Sequence, residues 1–425
     1  MIRKMGPSGL VLLTICFASP ARTTADSLAL SRPIAHKGIR NAAVAGAGIV
    51  AGDALLQLTD HYILDLDYAH ISRESVRNNF RTGFVWDNDG FFLNQTGHPL
   101  AGAGYHLIAR SSGLSYWASA PFNLLGSAGW EMFCESDPPS LNDIFTTTCG
   151  GMALGEVGWR LASLIFSKKE IGFPLKVSAG LASNAAVAGT RAEGTKANAM
   201  AVVDIRYGDA FSCGKPYDYF LFHTGIGYGG GKYVPLEVNV LGELWGRTVA
   251  QTDHSRTLVG IFQHFNTSST AHLAETASFG PGVIYSSGAF EQHFHLSGIL
   301  LGTSRSDWFS TLDRSYSFGN GYGFKSLSSW DSGNGLRLEL AVRQYHLFTT
   351  KEGDNAAADP LYTDGQGTPG AYFTISASPA VHYDFSRHFS LFLCATCIWR
   401  NAAYRHHPAV SDLFCESRAG ICWKL

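Results

Sequence analysis

The stretch "NGLRLELAVRQYHLF", residues 334–348, puts Leu336, Leu338, Leu340 and Val342 on one side of an extended chain and Arg337, Glu339, Ala341 and Arg343 on the other. A period of two is the pattern of a β-strand, whose successive side chains point to opposite faces. An apolar face and a charged face on one long strand suit a barrel wall with lipid outside and water inside. The pattern recurs. In "AFEQHFHLSGILLG" the residues Phe290, Phe294 and Leu296 oppose Glu291, His293 and His295. In "AYFTISASPAVHYDF" the residues Phe373, Ile375, Val381, Tyr383 and Phe385 oppose Thr374, Ser376, Ser378, His382 and Asp384.

From residue 173 onward twelve such segments begin near Phe173, Lys196, Tyr217, Val234, Ser255, Leu273, Ala289, Tyr316, Asn334, Ala371, Arg387 and Ser411. An even number lets an antiparallel sheet close on itself with both ends on one side. The final "GICWKL" alternates Ile421, Trp423 and Leu425 up to the last residue, as a closing strand would. The polar stretch 349–370 is long enough to be an extracellular loop. A soluble β-sandwich would show shorter strands of roughly 5–6 residues and fewer of them.

Composition agrees. Lys+Arg number 32 and Asp+Glu 34, a formal charge of -2, so no polyanion-binding surface is indicated and nucleic acid drops out as a partner. Charged residues are 16% of the chain, against about 25% in an average soluble domain. Residues 1–25 combine Arg3 and Lys4, an apolar run from Gly9 to Ala18 and small residues at Ala21 and Ala25, the three parts of a signal peptide. Beyond it the apolar runs are cut by charges, Ala42–Leu58 by Asp53 and Gly151–Phe166 by Glu156 and Arg160, which disfavours an α-helical membrane protein. Seven cysteines remain after the signal peptide, an odd number, and Cys394 and Cys397 lie on opposite faces of a strand rather than forming a redox or zinc pair.

Residues 98–168 have a different rhythm. Three helices are expected, separated by Ser-Ser-Gly and by Asp-Pro-Pro, with small residues at Ala101–Gly104, Gly126, Gly129, Gly150, Gly151 and Gly155 that let backbones approach closely. A further Ala/Gly-rich helix covers 41–58, and an aromatic connector follows within 26–97. The reading is α+β, mainly β: an antiparallel transmembrane barrel of about twelve strands over 173–425, with an N-terminal apolar helical module acting as plug or periplasmic cap.

Four blocks make the helical segment specific. They are Asn94, His98, Pro99, Gly102, Tyr105, Ala109 and Arg110; Gly126, Ser127, Trp130, Glu131 and Glu135; Pro139, Ser140, Asn142 and Asp143; and Gly150, Gly151, Gly155, Glu156, Arg160 and Leu161. In order and spacing this segment resembles the bacterial family called domain of unknown function 3943. The resemblance implies an exported protein of the outer membrane of a Gram-negative bacterium, and it assigns no catalytic residue.

The polar residues of the module admit two readings. His98, Glu131, Glu135 and Asp143 are the candidates for catalysis, a carboxylate pair with an imidazole partner for general acid–base chemistry. Alternatively Glu131 and Glu135, four apart on one helix face, receive Arg110 or Arg160 within a structural network that also holds Asn94, Trp130, Ser140, Asn142 and Glu156. Ser140 and Asp143 fit a helix-start box, and Glu156 and Arg160 an i,i+4 ion pair. No second histidine stands at ligand spacing from His98, so neither a metal nor another cofactor is expected. Expected partners are outer-membrane lipid, the barrel-assembly machinery and a small-molecule or lipid ligand. A structural or transport role leads over an enzyme acting on envelope lipid or glycan.

Overall fold

The computed structural model describes residues 38–85, 93–166, 175–188, 191–192, 196–229, 236–268, 273–304, 316–353, 370–404 and 410–424. The signal-peptide reading of residues 1–25 and most of the loop at 349–370 lie outside the described residues. The chain divides into two compact units, with the boundary after Ile171.

The second unit is a single antiparallel sheet. Its long strands are β1 (Leu175–Ala188), β2 (Lys196–Tyr207), β3 (Phe220–Gly229), β4 (Leu236–Gln251), β5 (Ser255–Ser268), β6 (Leu273–Ser287), β7 (Phe290–Ser304), β8 (Tyr316–Asp331), β9 (Leu336–Gly353), β10 (Gly370–Asp384), β11 (Phe389–Tyr404) and β12 (Val410–Lys424). A two-residue strand, Arg191–Ala192, folds back on the end of β1. Each long strand pairs with its sequence neighbour, and β12 pairs with β1 from Lys424↔Lys176 to Leu413↔Val187, so the sheet returns on itself. Closure removes both sheet edges, which leaves no unpaired ladder to face lipid. Every strand begins within three residues of its expected start.

Side chains that meet across non-adjacent strands of a ring must lie inside it. Arg206 of β2 reaches Glu291 of β7, and Tyr345 of β9 reaches Glu275 of β6. The opposite face is apolar and open: Phe294, Leu296, Leu338, Leu340, Val381, Tyr383 and Phe385 are all exposed. Outside, Tyr322, His346, Phe373 and Trp399 touch ring to ring across β8–β11. A second aromatic group, Phe290, Trp330, Tyr383 and Phe389, sits toward the short turns. On β8 the two levels, Tyr322 and Trp330, are about eight residues apart, or about 21 Å of height at ~3.4 Å per residue and ~40° tilt, close to the roughly 25 Å apolar band of a membrane barrel.

One departure is informative. A strand start at Tyr217 was expected, but β3 begins at Phe220. Residues 208–219 instead fold inward: Ala210 and Tyr219 are fully buried with inward-facing Leu258, Phe262 and Ile284. Gly208, at φ 74, makes the bend possible, since a Cβ there would stand 1.9 Å from the carbonyl oxygen of Asp218. Tyr217 itself adopts φ 62 and donates its hydroxyl to Gln263 at 2.7 Å. An apolar cluster therefore fills part of the barrel at its short-turn end.

The first unit is helical: α1 (Gly38–Tyr62), α2 (Arg73–Thr82), α3 (His98–Ser111), α4 (Tyr116–Phe133), α5 (Leu141–Phe145) and α6 (Gly151–Phe166). By length and composition α1 could cross a membrane, yet it carries Asp53, whose carboxylate accepts the Tyr105 hydroxyl at 2.6 Å. Single π-helical turns precede α3 (Leu93–Gly97) and join α5 to α6 (Thr146–Gly150). Helices α3 and α6 cross at glycine. A Cβ on Gly102 would fall 1.8 Å from the Thr147 oxygen, and one on Gly151 would fall 2.3 Å from the Gly102 carbonyl carbon. At that approach backbone meets backbone, which is what the small-residue pattern of the sequence anticipates.

Candidate functional site

Two buried ionic groups lie along the helical pair formed by α3 and the α5–α6 run, one on each side of the Gly102–Gly151 crossing. The first surrounds Glu156, which is fully buried on α6. Arg110 grips it with both Nε, at 2.7 Å, and a terminal nitrogen, at 3.2 Å. Arg160 adds its Nε at 3.0 Å from the next turn, and the His106 Nε2 lies 3.1 Å away. Arg110 also stacks 3.8 Å over Trp159. Burial alone would push the Glu156 carboxyl up, but the His106 hydrogen bond and the two arginines hold it below its ordinary value. Burial pushes His106 down.

This overturns one expectation. In the structural alternative Glu131 and Glu135 receive Arg110 or Arg160, but both guanidinium groups meet at Glu156. The i,i+4 pairing of Glu156 with Arg160 is present as read. Glu131 and Glu135 do not share a helix face either, because α4 ends at Phe133, before the Asp-Pro-Pro break. Glu135 instead accepts the indole N–H of Trp130, and its carbonyl accepts Asn79 at 3.1 Å.

The second group gathers His98, Glu131 and Asp143. Each comes from a different element: the first residue of α3, the end of α4 and the short helix α5. Glu131 is 1% exposed and its Oε2 accepts the backbone N–H of Ser140 at 2.8 Å. Ser140 is the N-cap of α5; its Oγ accepts from the Asp143 amide at 3.2 Å and donates to Asn142 at 2.9 Å. Asn142 donates from Nδ2 to Asn94 at 3.3 Å and to the Asp143 Oδ1 at 3.2 Å. The His98 Nε2 lies 3.5 Å from the Asp143 Oδ2. Val85 braces the entry to α5 with a backbone bridge, donating to Pro139 at 2.8 Å and accepting from Leu141 at 2.7 Å.

One ligand-type atom from each of His98, Glu131 and Asp143 lies within 4.8 Å of the other two. The expectation of no metal rested on the want of a second histidine near His98; the structure supplies two carboxylates from other elements instead. Of the residues read as one network, the fold thus makes two clusters, with Asn94, Ser140 and Asn142 around the second and Arg110, Arg160 and Glu156 in the first. The spacing of His98 from Asp143 carried no signal for their meeting, since it depends on how α3 and α5 pack.

In the barrel a cavity of about 590 Å³ is lined by Asp204, Arg206, His223, Glu237, Arg343 and Arg418 among others. Two ion pairs cross it, Arg206–Glu291 at 2.8 Å and Arg418–Glu237. Also inside the ring, Glu275 accepts Ser278 at 2.7 Å and Tyr345 at 3.1 Å, and pairs with Lys325. Cys394 lines the cavity while Cys397 is exposed, opposite faces as read, and Cys134, Cys149, Cys213, Cys394, Cys397 and Cys415 are free thiols.

No curated protein matches the chain by sequence. Among solved structures, the NanC porin is similar at 12% identity over 59% of this chain and 100% of its own, with a TM-score of 0.30. Outer membrane phospholipase A from Escherichia coli shares 8% identity over 60% of this chain and 93% of its own, at a TM-score of 0.26. The translocator domain of the autotransporter NalP from Neisseria meningitidis shares 11% over 64% and 95%, at 0.28. All three scores are below 0.5, so the barrel rests on this chain's own strand ladder. The four sequence blocks and the helices that carry them fall inside residues 83–183, about a quarter of the chain, and this segment matches the family described as "Domain of unknown function (DUF3943)".

Proposed function

We propose that the protein is a conduit of the outer membrane for small polar solutes, with the barrel as the path and the helical unit as its plug or gate. The observation that carries this reading is a cavity edged by charged side chains inside a ring whose outer surface is apolar and banded with aromatic side chains. Charges of both signs line it, which suits polar solutes without a strong preference of sign. The ion pairs Arg206–Glu291 and Arg418–Glu237 narrow the path, and solute passage requires them to part. Planar-bilayer recording tests this. The full chain is expected to pass a small current, and Arg206→Ala with Glu291→Ala, or deletion of residues 98–168, is expected to raise it. An equal current in all three forms removes the plug and the ion-pair constriction, and a folded barrel that passes no current in any of them removes the conduit and leaves a structural role.

A second reading is supported by the cluster of His98 with two buried carboxylates: an envelope enzyme acting on lipid or glycan, in which Glu131 or Asp143 takes a proton and His98 passes it on. Hydrolysis of outer-membrane lipid by the full chain, lost in Glu131→Gln with the fold retained, is its expected signature. Absence of turnover on both lipid and glycan substrates refutes it.

A further inference from the structure

We infer that His98, Glu131 and Asp143 bind a first-row divalent transition-metal ion such as zinc or manganese. The claim is independent of both functional readings and stands on geometry and ligand chemistry. An imidazole nitrogen and two carboxylate oxygens lie within 4.8 Å of one another. An ion held at ~2.1 Å by each ligand in tetrahedral arrangement needs its ligands about 3.4 Å apart. The His98–Asp143 separation of 3.5 Å already meets that requirement. The remaining edges, within 4.8 Å, close by side-chain adjustments of up to about 1.4 Å, which Glu131 can supply through its own torsions.

The surroundings orient these ligands. The Ser140 amide fixes one oxygen of Glu131 at 2.8 Å, and Asn142 holds the Asp143 Oδ1 at 3.2 Å while Oδ2 turns to His98. Such hydrogen bonds to ligating groups aim them and tune their basicity. Two carboxylates with a neutral imidazole carry a negative charge that a divalent ion matches, in a place where Glu131 and Asp143 are 1% and 2% exposed. His98 directly follows the π-helical turn at 93–97, and the helix that carries Asp143 runs into the one at 146–150; such turns shift helix register locally where side chains must converge. One nitrogen and two oxygens favour zinc, manganese or iron over calcium or magnesium. Three protein ligands leave a further position for water or a substrate oxygen.

The test uses the full chain, without a polyhistidine tag, folded in detergent and stripped with a chelator. Re-equilibration with Zn²⁺ or Mn²⁺ followed by gel filtration is expected to leave about one ion per chain by elemental analysis and to raise the unfolding temperature of the helical unit. Excess Mg²⁺ is not expected to displace it. With Co²⁺ as the probe, a visible ligand-field band is expected in the native chain and its loss in His98→Ala and Asp143→Asn. Asp53→Asn, which alters a buried acid outside this cluster, should keep the band. Metal content well below one ion per chain in the native protein, or unchanged Co²⁺ binding in folded His98→Ala, overturns the assignment. The native-protein measurement decides the matter even if a variant fails to fold.

Discussion

The two buried carboxylate sites of the helical unit share a pair of helical segments and differ in what surrounds the acid. Glu156 is met by two guanidinium groups and an imidazole, a set that neutralises one negative charge completely. Glu131 and Asp143 are held by a backbone amide, a cap hydroxyl and an asparagine, with His98 beside them. The first arrangement fixes a charge in place and its geometry is fully spent on doing so. The second aims oxygen and nitrogen atoms at a common point, which is the arrangement of a site rather than a fastening.

The sharpest way to break that contrast is to remove each charge in turn. Glu156→Gln strands Arg110 against a neutral partner in a dry interior and is expected to destabilise the helical unit by about 3–5 kcal/mol. Chemical denaturation followed by hydrogen exchange in α3 and α6 measures it. Gly102→Ala is the control between the sites, since the new methyl collides with the Thr147 carbonyl and separates the helices that form both; about 1–3 kcal/mol or somewhat more is expected. Glu131→Gln keeps an acceptor for the Ser140 amide and is expected to cost less than Glu156→Gln, about 1–2 kcal/mol. If Glu131→Gln proves as costly as Glu156→Gln, both clusters are fastenings and the contrast fails.

The sequence made the barrel legible and the site only partly so, for a physical reason. A strand that separates lipid from water must alternate, so Leu338 and Leu340 against Arg337 and Glu339 show their faces in the chain itself. A local pair such as Glu156 with Arg160 is equally visible, because one helical turn sets its distance. The partner of Arg110 is not visible. It depends on how closely α3 and α6 approach, and that follows from Gly102 meeting Gly151, a tertiary event. The inward fold of residues 208–219 escaped for a related reason. Tyr217 and Tyr219 look like strand residues until the φ of Gly208 turns the chain.

Asp53 offers the finest test, because it is a third buried acid with a third kind of surroundings. Its described partner is the neutral Tyr105 hydroxyl at 2.6 Å, and burial raises it from 3.8 to about 6, an effect the tyrosine bond only partly opposes. A folded value above the unfolded one means that Asp53 contributes stability fully below about pH 4, and that this is lost as pH rises through about 6. Glu156 has the opposite sign: its lowered value gives stability that is present above its ordinary 4.5 and lost as pH falls through the folded value. The unit should therefore loosen at both ends of the range, through different residues. In thermal melts from about pH 2 to pH 8, Asp53→Asn is expected to flatten the rise-of-pH arm and leave the acid arm intact. An Asp53→Asn melt profile that still falls through pH 6 would assign that arm elsewhere and show that a neutral hydroxyl suffices to keep a buried carboxylate ionised here.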